Sequence, residues 1–342
     1  MDVSIILVNY KTERLLLAAI ESVIEKSQGF FYEIIVADNH SGDDSGRIIA
    51  QKTWPVQITY IPLDDNLGFG RANNEGIRVA TGRYIFLLNT DTLLINNAVQ
   101  IMVEYMDSHP SVGICGGNLY DQQMRPVHSF ARMPSIFDEI CELSLGIIPT
   151  ITEGKNRGFN HTDRPRRVGY ITGADMMIRR TALNTAGWFD PDFFMYYEEV
   201  ELTGRIKKLG YQVVSIPQAK IIHYESLSSG SSENKIRMRM KSRRIYFDKV
   251  HGARYRHAAD FLFLANLVIR SFLFQILGYS ERATNYRTQY RIGSPRVWRC
   301  LLHQRRSPET RHVLLSRTGH LCPGWHWRIQ CHIGLFWLFT WY

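Results

Sequence analysis

Apolar and polar positions in the first hundred residues follow a repeating order of strand and helix. Residues 3–8 form a short β-rich run ending at Asn9 and Tyr10, and residues 13–26 then carry apolar side chains at helical spacing. The pattern recurs over residues 32–37, which end in the polar run 38–45. A second helix is expected over 46–52, with Asp44 or Ser45 as its cap. A third strand covers 58–61 and runs into the Gly- and Asn-rich stretch 66–74, which opens a helix reaching Ala80. The apolar residues Tyr84 to Leu88 then predict a fully buried strand that stops abruptly at Asn89, Thr90 and Asp91. This alternation implies a parallel sheet with right-handed crossovers, covered on both faces.

Three of these strands deliver polar groups at their carboxyl ends: Asn9, Asp38, and Asn89 to Asp91. In a parallel sheet those ends share one edge, where open α/β sheets bind ligands. Asp91 alone could equally cap the helix expected from Ala98 to Met106. Gly68 and Gly70 are a weak phosphate-loop signal, because Asn73 stands where the dinucleotide fingerprint has its third glycine, and NAD is not expected.

A second block starts with a strand over 112–119 that contains a glycine kink. Between Arg125 and Arg167 the periodicity weakens around Pro126, Pro134, Pro149 and Pro165, which predicts a long surface excursion beside an acceptor site. Residues 169–178 are strand-like, 181–186 a short helix, 198–210 a longer helix, and 211–216 and 219–223 two further strands. Glu198, Glu199 and Glu201 at a helix start could simply complement the helix dipole.

Composition adds the compartment and the partners. The 342 residues are 45% hydrophobic and 21% charged, which is globular and leaves room for one large domain or two smaller ones. The net charge of +9 is concentrated late. Nine basic residues face only Asp248 between Asn234 and His257, and eight face only Glu309 between Arg291 and Tyr342, so the remainder is net acidic. The five cysteines lack metal-ligand spacing and predict reduced thiols. Residues 3–8 are too short for a secretory signal, and Asp2 stands where one would be basic, so a cytoplasmic catalytic part is expected.

Taken together, several stretches resemble glycosyltransferase family 2, especially its rhamnosyltransferase-like members with the GT-A fold. They are residues 6–10, 37–39, 66–69 with Asn73 and Asn74, 88–91, 172–175, 188–190 and 197–202, and the resemblance runs from Val3 to about residue 225. It implies a Rossmann-like, mostly parallel mixed α/β sheet covered by helices over residues 1–230. It also implies inverting transfer from a nucleotide-sugar donor, dTDP-rhamnose first and UDP-hexoses next. Asp38 would accept from the pyrimidine, Asn9 and Gly68 would wall the base, and Arg71 and Asn89 would complete the nucleotide-sugar site. Asp91 matches the metal-binding acid of the family's Asp-x-Asp motif, whose first acid is Asn89 here, and His223 matches its late metal ligand. The metal would be Mg2+ or Mn2+. Glu199 matches the general base, with Glu198 an adjoining candidate, and Asp175 and Glu198 would belong to the acceptor or sugar pocket. A sugar nucleotidyltransferase is the nearest rival, but it would carry a Gly-rich basic loop where this chain has Asn9 to Thr12. A non-catalytic glycan- or membrane-binding protein is the other alternative.

In the carboxyl-terminal third, Arg237, Lys241 and Arg244 fall on one helical face, and an apolar segment follows from Phe261 to Leu277. Asp260, Asn266, Arg270, Ser271 and Gln275 fit one half of its wheel, which predicts a helix lying at an anionic membrane surface rather than crossing it. The alternative is a core helix beside a solvated basic stretch. Residues 231–290 are therefore assigned as a helical, membrane-associating extension, peripheral on the inner face of the cell membrane and close to a lipid-linked glycan acceptor. Nucleic acid is not an expected partner, since no binding motif for it is present. Residues 291–342 hold five of the seven tryptophans and three of the five cysteines. This atypical tail could be a frameshifted or read-through end or a membrane-adhering segment, and no function is assigned to it.

Overall fold

The structure is a computed structural model, and it describes residues 1–143, 158–224 and 232–294. Expectations for Pro149 and for residues 295–342, with their tryptophans and cysteines, lie outside the described residues. The first strands and helices fall within a residue of the sequence pattern. They are β1 Val3–Asn9, α1 Glu13–Lys26, β2 Tyr32–Asp38, α2 Ser45–Gln51, β3 Ile58–Pro62, α3 Phe69–Val79 and β4 Tyr84–Leu88. Asp91 caps no helix. The short strand β5 Thr92–Leu94 follows it, and α4 Ala98–Ser108 begins only after Asn97.

The second block is β6 Val112–Tyr120, β7 Phe130–Ala131, α5 Ile136–Leu143, β8 Arg166–Arg167, β9 Tyr170–Ile171, β10 Asp175–Arg179, α6 Arg180–Ala186, α7 Glu198–Lys208 and β11 Gln212–His223. Three expectations change here. The supposed excursion contains β7, α5 and β8. The single strand expected over 169–178 divides between β9, which pairs with β7 in a small ribbon, and β10, which enters the main sheet. The two strands expected over 211–223 are one, with a shift of register between Ser215 and Lys220. Pro217 has no N–H for the ladder, so the strand bulges there and resumes.

Among the described residues the main sheet runs in the order β3-β2-β1-β4-β10-β6-β11-β5, with β8 also pairing with β11. It is mixed rather than wholly parallel. β10 lies antiparallel between β4 and β6, and β5 and β8 are antiparallel to β11. Alternate side chains cover two faces. Ile5, Leu7, Val36 and Phe86 pack with α1 and α4, whereas Ile6, Ile35, Leu87 and Met176 pack with Ile77 of α3 and with Leu202 and Ile206 of α7.

Three helices complete the described chain: α8 Ser232–His251, α9 Ala253–Ile276 and α10 Ser280–Gly293. A third cluster, in which Phe193 and Val200 meet Tyr246, Phe247 and Ala259, joins α8 and α9 to the catalytic half. Buried Arg243 locks the layer, donating to Glu139 of α5 at 2.7 Å and to Asp260 of α9 at 3.0 Å. The cationic stripe expected on α8 is partly spent inside the protein. Arg244 reaches Asp260 at 3.3 Å, and Arg237 pairs with Glu233 at 2.7 Å. The orientation of α9 is more telling. Asn266 and Ser271 are buried, while Phe261, Phe272 and Ile276 are 72%, 61% and 66% exposed.

Candidate active site

Register places the polar strand ends together. Asn9 lies opposite Asp38 across β1 and β2, and β4, whose end leads into Asn89, flanks β1 on the other side. Asn9 itself is fully buried. Its amide donates to Ser41 Oγ at 3.0 Å and Ser45 Oγ at 3.1 Å, and its carbonyl oxygen accepts from Thr12 at 2.8 Å. It therefore braces the wall of the crevice from behind and does not face a base directly. Asp38 accepts from the Ser41 N–H at 2.8 Å and from the Tyr60 hydroxyl. Each carboxylate oxygen has two lone pairs, so capacity for a further donor remains.

The loop of Gly68 is held from both sides. Asn39, directly after β2, accepts from Leu67 N–H at 2.7 Å and donates to Asn66 at 2.9 Å. On the opposite side Phe69 N–H donates to Phe194 O at 2.9 Å. At Gly68, with φ of 82°, a Cβ would stand 2.0 Å from that same carbonyl, so no other residue fits. Arg71, on the first turn of α3, donates to Leu67 O at 2.8 Å and makes no ion pair among the described residues. Its half-buried guanidinium keeps donors for an anion.

Pairing of β5 with β11 sets His223 opposite Thr92, and this brings the distant Asp91 and His223 together, Oδ1 to Nε2, at 3.3 Å. Asp91 is buried, and His223 Nδ1 has no hydrogen-bond partner. A carboxylate oxygen and an imidazole nitrogen suit a divalent cation. Among the described residues no third His, Cys, Asp or Glu joins them, so most of the coordination would fall to diphosphate and water. Asn89 is fixed through its backbone, donating to Ala174 O at 3.0 Å.

The three acids at the start of α7 separate by environment. Glu201 is neutralised by Arg205 at 2.8 Å and is structural. Glu198 is buried with one carboxylate oxygen unpartnered. Burial, then the charge of Glu199, pushes its carboxyl well above the usual range. Burial likewise pushes Glu199 up to about 7, against backbone N–H groups at the helix start and the positive charge of Arg239. The backbone that presents them is unusual. Tyr196 and Tyr197 both have positive φ, 71° and 70°, a conformation disfavoured for bulky residues and held here by packing.

Asp175 is not brought to the pocket. It has no exposed surface, and its carboxylate accepts from Gly117 N–H at 2.6 Å beneath the β4 edge. Two contributors escaped sequence reasoning. Asn39 lies within the quoted 37–39 motif, so a signal for it existed, whereas Arg239 emerges only when α8 packs over Tyr196.

The geometry can be set beside known proteins. The fold matches a mannosyltransferase of Pyrobaculum calidifontis solved with GDP-Man and Mn2+, at a TM-score of 0.53 and 16% identity over 89% of this chain and 79% of that one. It also matches Staphylococcus aureus TarS, with a TM-score of 0.50 and 13% identity over 78% of this chain; the match spans only 43% of the length of TarS. This is the GT-A fold. In sequence the chain is 25% identical to the N-acetylglucosaminyl-diphospho-decaprenol L-rhamnosyltransferase of Mycobacterium tuberculosis, over 70% of this chain and 82% of that one. Residues 4–187, more than half of the chain, match the model of glycosyl transferase family 2, and the chain belongs to that family. It is a rhamnosyltransferase-like glycosyltransferase.

Proposed function

We propose that this enzyme transfers a sugar, with inversion, from dTDP-rhamnose or a UDP-hexose to a hydroxyl of a lipid-linked glycan in cell-surface polysaccharide synthesis, at the cytoplasmic face of the membrane. The observation that carries the reading is the meeting of Asp91 and His223 at 3.3 Å on the sheet edge that also holds Asp38, with the Gly68 loop tied by Phe69 to the segment that presents Glu199. The mycobacterial relative, named for rhamnosyl transfer to a diphosphate-linked lipid acceptor, supports the donor and acceptor classes.

Asp38 and the Gly68 loop would hold the nucleotide, and Arg71 would face its phosphates. Asp91 and His223 would hold Mg2+ or Mn2+, which offsets charge on the diphosphate leaving group. Glu199, ionised above about pH 7, would take the proton of the acceptor hydroxyl as it attacks the anomeric carbon. With one base and, among the described residues, no carboxylate evident as a nucleophile opposite it, a single displacement is the simplest course. The exposed apolar side of α9 would rest on the membrane. By length and composition α9 could also cross one, but its polar residues are already used against its neighbours.

Incubation with a panel of nucleotide sugars, with and without Mg2+ or Mn2+, tests the proposal. Metal-dependent hydrolysis of one donor is expected. Tight sugar-nucleotide binding with no turnover under any condition would identify a binding protein instead.

A further inference from the structure

A cavity of about 1200 Å³ lies beside the catalytic centre, walled by α5, α8, α9, α10, β7 and β8. Its lining is rich in cations, and they fall into two groups. Arg132, Arg243 and Arg270 are paired, with Asp138, with Glu139 and Asp260, and with Glu142 respectively. Lys235, Arg239, Arg166 and Arg167 form no ion pair among the described residues. Four cations without an ion partner around one cavity give it a positive potential that favours an anion.

The two sides of the cavity differ in chemistry. On the inner side, Tyr196 and Tyr197 line it immediately before the proposed base, and the Arg239 guanidinium lies 5.2 Å from the centre of the Tyr196 ring. Its charge reaches Glu199. On the outer side Phe137 of α5 and Phe263 of α9 line the cavity, and Phe137 is 53% exposed at its rim. A ligand matching both sides is anionic near the reacting hydroxyl and apolar beyond it.

We propose that this cavity receives the diphosphate joining the acceptor's sugar to its lipid, with Arg239 and Lys235 as the groups that bind it and the lipid chain leaving past the exposed ring of Phe137. The proposal rests on the lipid-linked acceptor inferred above and adds the site that distinguishes such an acceptor from a neutral glycoside. Charge-assisted hydrogen bonds from two cations should favour the diphosphate by about tenfold or more.

The test is binding rather than turnover, with the donor site filled by UDP. Calorimetry would compare farnesyl-diphosphate-linked N-acetylglucosamine with an octyl N-acetylglucosaminide, using the full chain and the Arg239→Ala and Lys235→Ala variants. Arg239 is exposed, so its replacement should fold normally. The wild type should prefer the diphosphate ligand, each variant should lose most of that margin, and Arg239→Lys should regain part of it. Equal affinity for both ligands, or an unchanged margin in the variants, overturns the proposal. Competition by inorganic diphosphate as effective as the lipid-linked ligand would make this a free-anion site, and displacement by anionic vesicles lacking acceptor would make it a headgroup site. Either result also overturns it. Absence of sugar transfer to any acceptor would defeat the function proposed above without altering these binding results.

Discussion

The sheet half and the helical layer of this enzyme are built with opposite polarity. In β1, β2 and β4 the apolar residues are enclosed between helices, and the polar Asn9 and Asp38 at the carboxyl ends are tied to neighbours. In α9 several polar residues turn inward while large apolar ones face out. Asn266 and Ser271 are buried, Arg243 holds Asp260 from α8, and Phe261, Phe272 and Ile276 face outward. The first arrangement suits a domain that must order a soluble donor against water. The second suits a surface whose surroundings are not water. The contrast teaches that the helical layer is not an extension of the sheet half, and that each should fail in its own way when altered.

The largest effect belongs to the donor half. Glu199→Gln keeps size and burial but removes the base, and should lower kcat for transfer by about a thousandfold with little loss of stability, as read by steady-state kinetics and thermal melting. In the wild type, kcat/KM should climb about tenfold per pH unit below 7 and level off above it, because the ionised form of a carboxyl raised to about 7 is the active one. A profile flat from pH 5 to 8 would remove Glu199 from this role.

Arg243→Ala probes the helical layer by the opposite criterion. It strands Glu139, takes from Asp260 one of its arginine partners, and should cost about 3 kcal/mol of unfolding free energy in a denaturant titration. Asp91→Ala and His223→Ala should each reduce metal-stimulated donor turnover by about a hundredfold, and the double variant should fall short of the product, since both act on one ion. Full additivity would separate the two residues. The smallest effect is expected at the outer face of α9. Replacing Phe272 and Ile276 by Asn should weaken vesicle binding by about tenfold, read by sedimentation, while melting stays within a few degrees. Lost stability with unchanged vesicle binding would mean that the face is covered by protein.

The sequence exposed most of the first half because its elements are local: β1 to β4 alternate with helices, and each break in periodicity is a real loop. It failed where pairing is decided at a distance. Nothing between Gly169 and Ile178 marks the change from the β7 ribbon to the main sheet, and nothing around β10 shows that it inserts antiparallel between β4 and β6. The same limit applies to the site. Asp38 and Asp91 stood out as polar groups at strand ends and Glu199 and His223 through the family resemblance, and Asp91 and His223 do meet. Asn9 stood out at a strand end and Asp175 through the family resemblance, yet both are buried and used internally. A strand end announces a polar residue but not which way its side chain turns.

The raised carboxyl of Glu199 also couples catalysis to folding. An unfolded chain releases that proton near 4.5, whereas the native state keeps it to about 7, so across this interval the native state binds more protons and its stability falls as pH rises. Burial of Glu198 acts in the same direction. The enclosure that makes the group basic enough to serve the reaction therefore leaves the native state with less of its stability in the alkaline range where the base is charged and ready.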